Sequence, residues 1–195
     1  MTVISVVKDA DARTLTITAR FDAPIDRVWQ VWSDPRQLER WWGPPRYPAT
    51  VTTHDLAPGG TVTYYMTGPD GERHGGWFRV RAVDPPHDLE LDAGVADGDG
   101  SPIPDSPTAV IRVALSELAD GGTQMTVTTA WGSDEAMEQM LATGIDTGMT
   151  GAVGQLDELL GLPARSREKG RAHEAEHDDA GHRRWSDAGK RSRHR

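Results

Sequence analysis

The polar groups that could do chemistry among the strand-forming segments are His54, Asp55, Tyr64, Tyr65, His74 and Arg79. A cyclase or isomerase needs an acid or base inside a pocket, within about 3 Å of its substrate. His54 and Tyr64 are the candidates for that catalytic role. His54 and Asp55 do not make a working pair, because adjacent residues of a strand point to opposite faces. Arg79 shares a strand face with Trp77 and Arg81, which places it outside. Whether Tyr64 or Tyr65 points inward depends on register, since a slip of one residue exchanges them. No Ser-His-Asp order and no phosphate-binding glycine loop stands out. For each of these residues a solvated or structural role is the plainer reading.

A metal site is matched by letter only. His173-Glu174-Ala175-Glu176-His177 fits the H-E-x-x-H signature of zinc peptidases. That signature works on a buried, rigid helix with a third ligand and an ordered second shell. Here it stands in a highly charged segment without a core. The expectation is no metal centre, with adventitious binding of divalent cations by His173, His177 and His182 at most. There is no cysteine. This excludes a disulfide framework, a thiol nucleophile, thiolate zinc sites and iron–sulfur clusters, and it fits a reducing cytoplasm. The opening MTVISVVKDADARTLTI has neither a basic segment nor a cleavage-type site, so no signal peptide is expected. No run approaches the ~18 apolar residues of a transmembrane segment.

Charge divides the 195 residues. The net charge of −9 is the difference between two unlike parts. Residues 1–163 hold 11 Lys and Arg against 24 Asp and Glu, a net of −13. Residues 164–195 hold 10 basic and 6 acidic residues and four His, a net of +4. The second part is too poor in apolar residues to offset the entropy of ordering it, and a disordered basic tail is expected. Its end, from His182 to Arg195, mixes Arg with Trp185 and suits an anionic surface, or a return onto the acidic body.

Alternation and turn residues organise the body. Thr14–Phe21 alternates strictly and reads as a half-buried strand. Ile25, Val28, Trp29 and Trp32 are spaced for one buried helix stripe. Asp34 and Pro35 open a second short helix running toward Gly43. Strand signals follow at 49–56, 61–67, 77–83, 89–93, 110–115 and 124–131 without intervening helices, which implies an antiparallel sheet. Residues 94–107 carry too many Gly, Pro and Asp for a strand and read as a mobile loop. From Ser133 or Asp134 to Leu160, apolar residues recur every three or four positions, predicting one long amphipathic helix stopped by Gly161 and Pro163. Gly144, Gly148, Gly151 and Gly154 lie within it. Each exposed Gly disfavours a helix by about 1 kcal/mol against Ala. They call for close backbone approach, or for space left beneath the helix.

The segments FDAPIDRVWQVWSDPRQLERWWGP (21–44), HDLAPGGTVTYYM (54–66), PDGERHGGWFRV (69–80), DGGTQMTVTTAW (120–131) and TGMTGAVGQLDELL (147–160) resemble the START-like, helix-grip superfamily SRPBCC. Within it they are most similar to the branch related to the activator of the ninety-kilodalton heat-shock-protein ATPase. The resemblance spans roughly residues 12–161. It implies an α+β helix-grip fold: a curved antiparallel sheet of about six to seven strands around a long C-terminal helix, with a hydrophobic cavity between them. It also implies that Trp29, Trp32, Trp41 and Trp42 sit at the cavity mouth. Aromatic bulk that plugs the sheet is one reading of them. A lining that stacks on a flat or apolar ligand is the other. On the second reading Trp42 leads, with Trp32, Tyr64, Met66, Phe78, Trp131, Leu141 and Ile145 as further ligand-binding residues. Fold alone does not decide function. The leading expectation is binding of a small hydrophobic or aromatic molecule without a cofactor. The alternatives are a polyketide cyclase or isomerase, and a co-chaperone-like partner of a heat-shock ATPase.

Overall fold

Period-two alternation turns most of the body into strands, each with one apolar face to bury. A computed structural model describes residues 3–97 and 100–161. These belong to the first of two units, Met1–Leu162 and Pro163–Arg195, into which the chain divides. The elements are β1 (Val3–Asp9), β2 (Thr14–Phe21), α1 (Ile25–Ser33), α2 (Pro35–Leu38), β3 (Ala49–His54), β4 (Thr61–Thr67), β5 (Arg73–Asp84), β6 (Asp88–Ala96), β7 (Thr108–Glu117) and β8 (Thr123–Trp131). Three helical segments close the body: α3 (Asp134–Ala142), α4 (Ile145–Gly154) and α5 (Leu156–Gly161).

The strands form one antiparallel sheet in the order β1-β2-β8-β7-β6-β5-β4-β3. Its inner face is the core. Leu15, Ile17 and Ala19 of β2, Met125 and Val127 of β8, and Val80 of β5 are all buried there. Ile25, Val28, Trp29 and Trp32 of α1 are buried, as their spacing predicts, and Val31 is buried with them. Asp34 caps α2 by accepting from the Arg36 backbone N–H at 2.9 Å. That helix is a single turn and stops at Leu38, short of the expected Gly43.

Three expectations need correction. The sheet has eight strands, because Val3–Asp9 pairs with β2 as an edge strand. Its apolar residues run in succession, and Ile4, Val6 and Val7 stay exposed, so no inward alternation marks it. The glycine-rich segment 94–107 is in part strand, since β6 continues to Ala96 and Ala96 bridges Pro102. The long C-terminal helix is three segments rather than one. Ser133 caps α3 by accepting from the Ala136 N–H at 3.1 Å. At Gly144 the backbone turns left-handed (φ +80°) and α4 starts in a new phase. Only Gly adopts that conformation without a Cβ penalty. The segment beyond residue 163, with its H-E-x-x-H match and basic end, lies outside the described residues.

Candidate functional site

Where the inner face is not filled by α1, α2 and their tryptophans, a cavity of about 440 Å3 lies between the sheet and helices α3 and α4. Trp42, Tyr64, Met66, Phe78, Trp131 and Ile145 line it. Trp32 and Leu141 do not. Trp32 is packed behind Trp42, with ring centroids 5.6 Å apart, and belongs to the core. Leu141 is partly buried against the core on α3, and Met140 of the same helix lines the cavity instead. Sequence reasoning also passed over Thr129 and Met149. Thr129 alternates with Val127 and Trp131 on β8, so the strand period carried the signal. It is a buried polar residue whose hydroxyl donates weakly to Met149 Sδ at 3.8 Å.

The loop after α2 brings Trp42 to the cavity. Gln155, at the junction of α4 and α5, donates from Nε2 to the carbonyls of Trp41 (3.1 Å) and Gly43 (2.8 Å). Pro44 and Pro45 then pack against α4. A Cβ at Gly148 would stand 3.2 Å from Pro44 Cγ, and one at Gly151 would stand 3.0 Å from Pro45 Cδ. Two of the helix glycines thus permit close approach; nothing in the structure explains Gly154.

Register resolves the tyrosine pair. Tyr64 is buried and faces inward, directly opposite Gly76 of β5. A Cβ on Gly76 would fall 2.4 Å from the Tyr64 ring and hydroxyl, so the glycine makes room for the phenol. Tyr65 points outward, where the Arg73 guanidinium lies 4.4 Å from its ring centroid. Trp42, Tyr64 and Phe78 form a mutual aromatic cluster with centroids 5.1–6.1 Å apart. Burial pushes the Tyr64 phenol up to about 12, so it keeps its proton at neutral pH; the Trp42 indole opposes this shift only in part.

The remaining polar candidates lie elsewhere. His54 is not among the lining residues, and its Nε2–H donates to the Trp32 carbonyl at 3.0 Å, tying β3 to α1. Asp55 is exposed and accepts from the Ala57 N–H. Arg79 is exposed, as its alternation implies. His74 lines the cavity from an exposed position, its side chain 61% accessible, and lies 3.8 Å from Glu72. Among the described residues no Asp, Glu, Lys or Arg lines the cavity. Among the described residues no group of three or more His, Asp or Glu could hold a metal ion, and no helix is long and apolar enough to cross a membrane.

A family model described as activator of Hsp90 ATPase homolog 1-like protein matches residues 22–161. Among solved structures, protein Ms6760 from Mycobacterium smegmatis is 47% identical, with a TM-score of 0.76 over 83% of this chain and 99% of that one. A protein from Arthrobacter aurescens is 44% identical, with a TM-score of 0.79 over 88% of this chain and 99% of its own. A Staphylococcus epidermidis protein at 24% identity shares the fold, with a TM-score of 0.70 over 83% and 97%. Among curated proteins none matches. Eight antiparallel strands, closing helices and these matches agree: the chain belongs to the activator of Hsp90 ATPase homolog 1-like family, within the helix-grip SRPBCC superfamily.

Proposed function

We propose that the protein binds a small hydrophobic or aromatic molecule in the cavity between sheet and helices, acting in the cytoplasm and without a cofactor. The observation that carries this reading is the cavity itself, about 440 Å3 in volume and, among the described residues, without an Asp, Glu, Lys or Arg on its walls. Ligand pockets typically span about 300–1,000 Å3, are mainly apolar and carry a few placed polar groups. Trp42, Phe78 and Trp131 offer ring faces to a flat ligand, while Met66 supplies adaptable and Ile145 stiffer apolar contact. Titration with Nile red tests it. Quenching of Trp fluorescence and a raised melting temperature are expected. If Nile red, long-chain alcohols and polyphenols all leave both signals unchanged, the reading is wrong.

A cyclase or isomerase reading would rest on Tyr64 alone, because His54 is spent on the Trp32 carbonyl. A co-chaperone role toward a heat-shock ATPase is favoured by the family description. It is checked by the rate of ATP hydrolysis of an Hsp90-type ATPase with and without the protein. An unchanged rate removes that reading.

A further inference from the structure

The polar atoms of the cavity are unevenly supplied. The Nε1–H of Trp42 is buried and meets no acceptor in good hydrogen-bond geometry among the described residues, although the residue is only 8% exposed and lines the cavity. An indole N–H can only donate, so the partner it lacks is an acceptor. Beside it stands the Tyr64 hydroxyl, whose oxygen interacts with the Trp42 indole. Even if the indole closes onto the phenol oxygen, two hydrogens face one internal acceptor. At least one hydrogen is left over for whatever enters. Buried polar groups in folded proteins are satisfied in the great majority of cases, and an unmade bond costs about 1–3 kcal/mol.

The walls narrow the kind of acceptor. Among the described residues no Lys or Arg lines the cavity, and His74, the one of them on its wall able to carry positive charge, sits largely in solvent. A carboxylate or phosphate would be stripped of water without a buried cation to receive it. A neutral oxygen has no such penalty. The aromatic rings around the two donors supply faces for a conjugated frame.

We propose that the ligand is an uncharged, ring-bearing carbonyl compound, whose oxygen accepts a hydrogen bond from Tyr64 at the corner formed with Trp42. This rests on the cavity being the binding site and specifies what it selects. Tyr64 and Trp42 are then residues that determine specificity: the apolar walls give affinity, and the donor corner orients the carbonyl and discriminates against the bare hydrocarbon.

Fluorene and fluorenone test this, since they share a ring frame and differ by one carbonyl oxygen. Their dissociation constants are measured by calorimetry on the full chain and on Tyr64→Phe. A net hydrogen bond is worth about 0.5–1.5 kcal/mol, so the preference for fluorenone over fluorene should fall about two- to tenfold in the variant. A preference that does not move overturns the donor corner and leaves the cavity reading standing. Failure of both compounds to bind the wild-type protein overturns the cavity reading and this inference together. If Tyr64→Phe does not fold, the infrared carbonyl band of fluorenone bound to the wild type gives the same answer. A shift to lower frequency than in a hydrocarbon solvent is expected, and an unshifted band overturns the proposal.

Discussion

Two regions share the inner face of one sheet and treat the same residue type in opposite ways. Against α1 and α2, Trp32 and Trp41 are 2% and 1% exposed, and both indole N–H groups are used. Trp32 approaches Met125 Sδ at 3.5 Å, and Trp41 donates to the Val31 carbonyl at 2.9 Å. At the next position in the chain, Trp42 borders open space and its N–H meets no acceptor in good geometry among the described residues. Trp41 and Trp42 touch edge to face, 5.3 Å apart. Burial therefore does not separate core from site here. What separates Trp32 and Trp41 from Trp42 is whether the fold itself satisfies the polar end of the ring.

The largest test of that contrast is to truncate each ring. Trp41→Ala should destabilise the protein by about 3–5 kcal/mol in urea unfolding, the range for a large aromatic removed from a packed core. Trp42→Ala should lose distinctly less, because one side of its ring already faces a void. Equal losses would show that both are plain core residues. A middle-sized effect is expected from Gly76→Ala. The added methyl would collide with the Tyr64 ring, so the phenol must move toward the cavity, with a loss of about 1–3 kcal/mol. Binding of Nile red should weaken in this variant. Unaltered binding would mean that the Tyr64 corner is not part of the occupied space.

The smallest effect is silent at neutral pH. Tyr64 is raised in the folded protein from 10.0 to about 12 by burial. Below pH 10 the phenol is protonated in both states and contributes no pH dependence. Above it the unfolded chain loses the proton first, so folding stability falls as pH rises from about 10 toward 12 and levels off above. Melting temperatures of wild type and Tyr64→Phe should therefore diverge in slope across that window. Parallel curves would mean that the phenol is hydrated rather than buried.

Much of the sheet could be read from the chain alone. The alternation in 14–21 and 124–131 is strict because one face of each strand meets the core and the other does not. The edge strand Val3–Asp9 escaped because Ile4, Val6 and Val7 do not alternate inward. The break in the C-terminal helix escaped for another reason. Spacings of three and four residues tolerate a change of phase, and a left-handed residue leaves no mark on hydropathy. The cluster of glycines carried the signal, but its meaning depends on Pro44 and Pro45, some hundred residues earlier. In the same way, Trp32 and Trp42 look alike as letters. Their roles part only through a loop held by Gln155, more than a hundred positions away in sequence. Local pattern specifies elements, whereas long-range contacts specify which side chain meets empty space.

The pairing of Tyr64 with Gly76 bears on how the cavity adapts. Along β5 and β6 the lining includes Gly75, Gly76 and Gly94, which present main chain rather than side chains. Main chain locked in a strand ladder has no rotamers to change. The opposite boundary carries Met140, Ile145 and Met149, and methionine is the most compliant of apolar side chains. The binding space thus has one fixed jaw and one yielding jaw. Guests of different thickness would seat at the same level on the sheet, with the helical side taking up the difference.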